Sequence, residues 1–525
     1  MKARQALQAI CMVTSFLAAM PSHAARSFTP QAGTWVVSSE LNGKPGRGLA
    51  IDVQGNAFFM QVFAYDGNGV PTFYTAMGTM QGNSATAPLV RYAGGQSFGG
   101  DARSAGYDSS PGDVTVRFVD GLAGVVQFPG EPELAIERFL VRDTAFDDLY
   151  LTSRSVAPRS LRVVGLDSAG QPAVAWDAQL GSGSTGSRQL VLQRVTSTST
   201  AAEQTLDCSR RSGEDAYDCV ARAGGVADEV QVQKATLRLS GGDVQGVVET
   251  RGTVNGRMVV AGDVLMGGNR SIAGACAVGS YIYVQDIPCY SGDMQIPSNG
   301  TWMVASEING KPGRGIAIDV QPGLAIAQVF NYAPNGRSTF HMGSGAYLAQ
   351  ETSFALQRYQ GGRPIGGAPQ SAVLWDSAGD VHLGFYQLDD KTKRGTRIEG
   401  VVQFPNEKPL TMVRLVLESQ DTITDRMAGQ WLLRFQIPGG TAISRFVNLS
   451  QDLGGAVASD DGAVQCAPVQ SVAASSEVSC TWRADAGKGA VLGSTQFVLQ
   501  SNNRSASAMR VRDRHGNLIS LGAWE

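Results

Sequence analysis

Histidine is nearly missing from this sequence, with four in 525 residues, and His23 lies within the first two dozen. His341, His382 and His515 remain, too few and too scattered for a histidine-based catalytic or zinc constellation that recurs along the chain. Charge is sparse as well, at 17% of residues, and Lys+Arg 43 against Asp+Glu 46 leaves a formal net charge of −3. No basic face is concentrated anywhere, which argues against a nucleic-acid partner and against acidic membranes. After the leader no apolar run approaches the roughly 18 residues needed to span a bilayer, so no transmembrane segment is expected in the mature chain. Long amphipathic helical patterns are also hard to find.

Glycine, by contrast, is abundant at 64 residues, and short alternating runs punctuated by Gly and Pro favour many strands joined by tight turns. Residues 1–24 read as a signal peptide: Lys2 and Arg4, an apolar run from Ala6 to Met20, then small residues before Ala25. Export to the periplasm or beyond follows as an expectation, and Cys11 belongs to the leader. Six cysteines are left, Cys208, Cys219, Cys276, Cys289, Cys466 and Cys480, as three close neighbours. Six allow 15 pairings, but the local scheme closes three hairpin-sized loops in an oxidising compartment. None of these pairs has the spacing of a zinc knuckle, so no metal and no cofactor is expected.

The most informative feature is a duplication. Residues 33–54, from Gly33-Thr34-Trp35 through Asn42-Gly43-Lys44-Pro45-Gly46-Arg47-Gly48 to Asp52-Val53-Gln54, return at 300–321 with four conservative differences in 22 positions. Beyond them the copies drift, with 16 of 46 positions shared between residues 55–100 and 322–367. The chain continues at a constant offset until a longer turn around Lys391-Thr392-Lys393-Arg394. Trp176 and Trp431 stand at similar distances before Cys208 and Cys466, so the duplication extends past the first unit. The order is A–B–A′–B′, with A at 25–141, B at 142–265, a disulfide-containing connector at 266–298, A′ at 299–418 and B′ at 419–525. In A, strands are expected at 49–54, 57–65, around Thr72-Phe73-Tyr74, and at 87–92, 113–119, 123–128 and 134–141. The expected fold is all-β: two up-and-down β-barrel-like or sandwich domains alternating with two disulfide-stapled β domains.

Gly33, Trp35, Glu40, Gly46, Gly48, Gln54, Phe63, Tyr65, Asp66, Gly69 and Pro71 carry a pattern that resembles a repeated β-domain of secreted proteobacterial proteins without an assigned function. Val36 and Leu41-Asn42 stand where that family has a second aromatic residue and Ser-Gly. The resemblance covers A and A′ and implies export but no activity. The opening Gly-x-Trp is also similar to the first strand of lipocalins and avidins, which are ligand-binding barrels.

Whatever restrains residues 33–54 is either a folding requirement or a shared binding surface. In the Gly-rich loop, Lys44 and Arg47, with Lys311 and Arg314 in the second copy, could hold an anion. The competing and preferred reading is a hairpin whose glycines supply positive φ and whose Arg47 pairs with Glu40 or Asp52. On strand 57–65 one face carries Phe59, Gln61, Phe63 and Tyr65, matched by Ile326, Gln328, Phe330 and Tyr332; it could line a ligand cavity or form core, and core is preferred. The Arg91-Tyr92-x-Gly94-Gly95 stretch reads as a strand and turn rather than a phosphate loop, since no helix follows. An enzymatic alternative uses Glu40 with Asp52, and Glu307 with Asp319, as carboxylate pairs on a carbohydrate. The preferred expectation is a non-catalytic binding or interaction protein for a glycan or other surface polymer. With tandem sites, half a chain would then bind more weakly than the whole. A passive envelope component is a third reading.

Overall fold

In the computed structural model the residues described are 25–26, 28–141, 159–167, 169, 171–182, 188–195, 203–211, 216–222, 230–240, 243–251, 255–259, 270–271, 293–294, 297–321, 324–347, 351–390, 395–419, 421–469, 477–485, 488–499, 504–505 and 508–519. The expected leader, the expected Cys276–Cys289 pair, most of the expected connector and Lys391–Arg394 lie outside them.

Unit A is a closed antiparallel barrel of eight strands, which decides between barrel and sandwich. They are β1 (Gly33–Val37), β2 (Gly48–Gln54), β3 (Ala57–Tyr65), β4 (Pro71–Thr79), β5 (Ser84–Ala93), β6 (Gly106–Phe118), β7 (Ala123–Gln127) and β8 (Leu134–Arg138). Each pairs with its predecessor, and β1 closes the ring on β8 with Trp35 opposite Arg138. The alternation sends Leu49, Ile51 and Val53 from β2 and Phe58, Met60, Val62 and Ala64 from β3 inward. Around Trp35 and Phe118, whose rings meet edge-on at 5.5 Å, these side chains fill the interior as a packed core. Two features differ from the sequence reading. Strand β6 starts at Gly106, well before residue 113, and Ser38–Glu40 forms a single 3₁₀ turn that carries Glu40 over the barrel end.

The A′ unit repeats this barrel from Gly300–Val304 to Leu410–Arg414, again with eight strands and a filled interior around Trp302 and Phe385. B is an eight-stranded antiparallel meander from Arg159–Leu166 to Asn255–Val259. B′ is an eight-stranded sheet whose C-terminal strand Ala508–Arg512 returns to pair with Gly429–Phe435. Each B sheet is stapled by the expected hairpin disulfide, Cys208–Cys219 or Cys466–Cys480, formed between directly opposed residues. No described helix is long and apolar enough to cross a membrane.

Like units pack on like. Val164, Leu166 and Ala175 of B share an apolar cluster with Leu432, Met509 and Val511 of B′. Ala50, Phe63, Tyr65 and Phe73 of A share another with Ala317, Phe330, Tyr332 and Phe340 of A′. B′ also opens with Gly-x-Trp, Gly429-Gln430-Trp431, which the sequence reading did not single out. Gly33, Gly300 and Gly429 adopt φ of 126°, 124° and 125°, a region that disfavours any side chain. In all three the following indole donates to the carbonyl four residues back, at 3.0, 3.1 and 2.7 Å.

Candidate functional site

The duplicated segment converges on the seam between the two barrels. Asp52 and Asp319 lie on the second strand of their respective barrels, and each carboxylate crosses to the other barrel. Arg138 Nη1 and Nη2 donate to Asp319 Oδ2 and Oδ1, both at 2.7 Å, and Thr34 N donates to Asp319 Oδ2 at 2.9 Å. Reciprocally, Arg414 Nη1 donates to Asp52 Oδ2 at 2.6 Å and Thr301 N at 3.4 Å. Glycine is required beside these pairs. A Cβ on Gly33 would stand 2.4 Å from Arg138 Nη2, and one on Gly300 would stand 2.1 Å from Arg414 Nη2. The last residue of the duplicated stretch follows suit: Gln54 bonds the backbone of Leu415 and Leu417, and Gln321 that of Phe139 and Val141.

The loop cations divide into two kinds. Arg47 is buried and bound to Glu40 Oε1 (2.6 Å) and Glu131 Oε1 (2.7 Å), with its guanidinium 4.7 Å above the Phe128 ring. Burial works against its charge, but the hydrogen bonds to Glu40 and Glu131 outweigh that and hold its pKa above the ordinary arginine value. Arg314 repeats the arrangement with Glu307 and Glu407, both at 2.5 Å, over Phe404. Arg47 thus takes Glu40, as the hairpin reading allowed, while Asp52 goes to the other barrel. Lys44 and Lys311 remain exposed at the loop tips, whose neighbouring Pro45 and Pro312 carbonyls accept from Ala372 N and Ala105 N, each at 2.8 Å.

The carboxylates named for a hydrolytic alternative are not brought together as pairs facing solvent. Glu40 and Glu307 are bound by the loop arginines, and Asp52 and Asp319 by the cross-barrel arginines. Arg363 adds a second cation on one side only, reaching Glu40 Oε1 at 3.0 Å and Glu131 Oε2 at 2.7 Å. Its counterpart in A is Gln96, which bonds Gly100 O as Arg363 Nε bonds the equivalent Gly367 O, and which has no guanidinium for the glutamates.

The aromatic strand face forms core, but that core lies between barrels rather than inside one. Gln61 Nε2 donates to Thr301 Oγ1 of A′ at 3.1 Å. Phe63 meets Phe340 at 5.4 Å, and Phe73 meets Phe330 at 5.3 Å. Gln328 is buried in the same seam, where a Cβ on Gly48 would lie 3.6 Å from its Nε2. Tyr65 lies over Gly362 and Tyr332 over Gly95, and in each case a Cβ on the glycine would fall 2.1 Å from a ring carbon. Burial pushes both tyrosine hydroxyls above their ordinary pKa. The shared Arg-Tyr-x-Gly-Gly element therefore ends in a backbone platform for the other barrel's tyrosine, with Gly94 N bonding Gly336 O and Gly361 N bonding Gly69 O, both at 2.8 Å.

Beyond those glycines, each barrel lends a side chain to the other's core. Phe98 lies 5.1 Å from His341 and 5.2 Å from Phe404 of A′, and its equivalent Ile365 packs against the core of A. Sequence reasoning missed Arg138, Arg414, Glu131, Glu407 and this exchange. The arginines and glutamates recur in both copies, and that recurrence was the available signal. Among the described residues no three side chains of His, Cys, Asp and Glu converge as metal ligands. Compared with known proteins, the chain matches no family model, no curated protein and no solved structure.

Proposed function

We propose that this chain is an exported, non-catalytic interaction protein that meets a glycan or other repetitive surface polymer with the outer walls of a fixed pair of barrels. The observation that carries this reading is the fate of the duplicated segment. Its Asp52 and Asp319 are bound across the seam, its Arg47 and Arg314 are paired with glutamates, its tryptophans lie inside the barrels, the barrel interiors are filled, and Phe98 and Ile365 each pack against the opposite barrel's core. Ligand uptake inside a barrel, in the lipocalin manner, has no room to proceed, and outward-facing strand surface is what remains for a partner. Carboxylates already bound to arginine are poor bases and nucleophiles, which favours binding over hydrolysis. The similarity to repeated β-domains of secreted proteins is in keeping with this role.

The test is retention of the mature chain on immobilised neutral and anionic polysaccharides, with release of reducing ends followed on the same polymers. Retention without cleavage is the expected result. Cleavage would overturn the non-catalytic reading, and failure to bind any polymer would leave the passive envelope role.

A further inference from the structure

One patch of outer wall carries chemically different side chains in the two barrels. In A, Thr86, Thr115 and Gln127 stand opposite one another across three strands, with the two hydroxyls 2.9 Å apart. In A′ the same row reads Ser353, His382 and Gln403. Glu351 replaces Ser84 beside it, 3.9 Å from His382 Nε2. Asp380 keeps the carboxylate of Asp113. The row borders an open cleft of about 320 Å³ whose lining also includes Asp380, Phe404, Pro405 and Asn406.

Asn406 supplies a second, independent observation. Among the described residues it is the one non-glycine with positive φ, at 61°, and the first barrel has Gly130 there at φ 73°. A side chain in the left-handed region carries a backbone cost that glycine avoids. The cost is borne where the side chain lines the cleft, and Gln403 beside it has its amide fixed by a bond from Nε2 to Glu407 O at 3.1 Å.

We propose that this cleft is a binding subsite for one residue of a neutral glycan; the proposal rests on the polymer-binding reading and gives it a location. A carboxylate, an imidazole and two amides are planar groups that accept from and donate to vicinal hydroxyls. Asp380 and Glu351 repel a uronate, so the subsite selects against acidic polymers.

Affinity electrophoresis of the full mature chain in gels containing laminarin, galactomannan or alginate tests this, with H382T/N406G and D380A as variants. The double variant installs the first barrel's own residues, so the fold tolerates them, and an unchanged melting temperature checks it. The subsite requires retardation in a neutral polymer, at least a tenfold loss of affinity in both variants, and no retardation in alginate. Wild-type affinity in either variant, or retardation by alginate alone, overturns the subsite and leaves polymer binding standing. No retardation in any gel overturns both.

Discussion

Arg138 of the first barrel grips Asp319 of the second through two nitrogens, each 2.7 Å from a carboxylate oxygen, and Arg414 returns the contact to Asp52 at 2.6 Å. Both pairs are buried, so each charge depends on its partner for the solvation it has lost. Asp319→Ala should therefore cost about 3–5 kcal/mol by leaving Arg138 uncompensated. Arg138→Met combined with Asp319→Leu should cost clearly less than the sum of the two single changes. Urea unfolding of the parent, Asp319→Ala, Arg138→Met, Asp319→Leu and the double variant measures both, and additive single effects would show that the pair is not coupled.

The glycine platforms give a second expectation. Gly362→Ala puts a methyl 2.1 Å from a ring carbon of Tyr65, so the seam must open and stability should fall by about 1–3 kcal/mol. Gly106→Ala is the control, since its Cβ would meet nothing within 4 Å. It should stay within about 0.5 kcal/mol of the parent. Equal melting temperatures for the two variants would contradict the close packing of Tyr65.

His341 should make the protein's stability fall with acid in a defined window. Burial among apolar neighbours, with nearby Arg358 adding to it, pushes its pKa down to about 4 from 6.5. The unfolded chain then binds this proton more readily than the folded one, so the neutral histidine's contribution is fully present above pH 6.5 and is lost as pH falls toward 4. The loss should reach on the order of 3 kcal/mol. His341→Tyr, which restores the residue of the first barrel at Tyr74, should flatten this part of the stability–pH curve. An unchanged slope between pH 6.5 and 4 would place the titration elsewhere.

Loop cations that look equivalent in sequence should behave differently. Arg314→Ala strips Glu307 and Glu407 of their shared partner and should destabilise by about 3 kcal/mol or more. Lys44→Ala with Lys311→Ala touches exposed tips and should change stability by no more than about 0.5 kcal/mol. Polymer binding is therefore to be tested with the lysine pair, because lost binding in an arginine variant reports on the fold. Thermal melts of both variants check the contrast.

Half of the chain is not simply half of the binding surface. A fragment of residues 25–265 exposes Phe63, Tyr65 and Phe73, which the second barrel covers in the intact protein. The face that A presents to A′ is matched by its own repeat, so two fragments should pair about it as a dimer. Sedimentation of the fragment should show a dimer that Tyr65→Asp dissociates, and a stable monomer would disprove self-complementarity. Comparison of half and whole in binding assays has to allow for this association.

Several elements were legible because their causes are local. Leu49, Ile51 and Val53 alternate with polar or small residues and so define a strand, and Asp66-Gly67-Asn68-Gly69 marks the turn after β3. Each confirmed disulfide joins nearby residues, 11 and 14 positions apart, across one hairpin. The Arg47–Glu40 pair spans seven positions and also lay within reach of pattern reasoning. The start of β6 at Gly106 and the 3₁₀ turn at Ser38–Glu40 did not, because neither has a hydrophobic period long enough to read.

By itself the sequence determined that the protein is a duplicated series of short strands joined by tight turns. On β3 Phe58, Met60, Val62 and Ala64 alternate with Phe59, Gln61, Phe63 and Tyr65, and a period of two places the sets on opposite faces while leaving core or ligand cavity open for the second. Tertiary structure alone decided that one set fills a barrel and that most of the other meets a second barrel. It also decided that Asp52 answers Arg414, 362 positions away, rather than Arg47 close by. Contacts of that range depend on how whole barrels dock. Their trace in a single chain is the near-identity of two segments that solvate each other's charges.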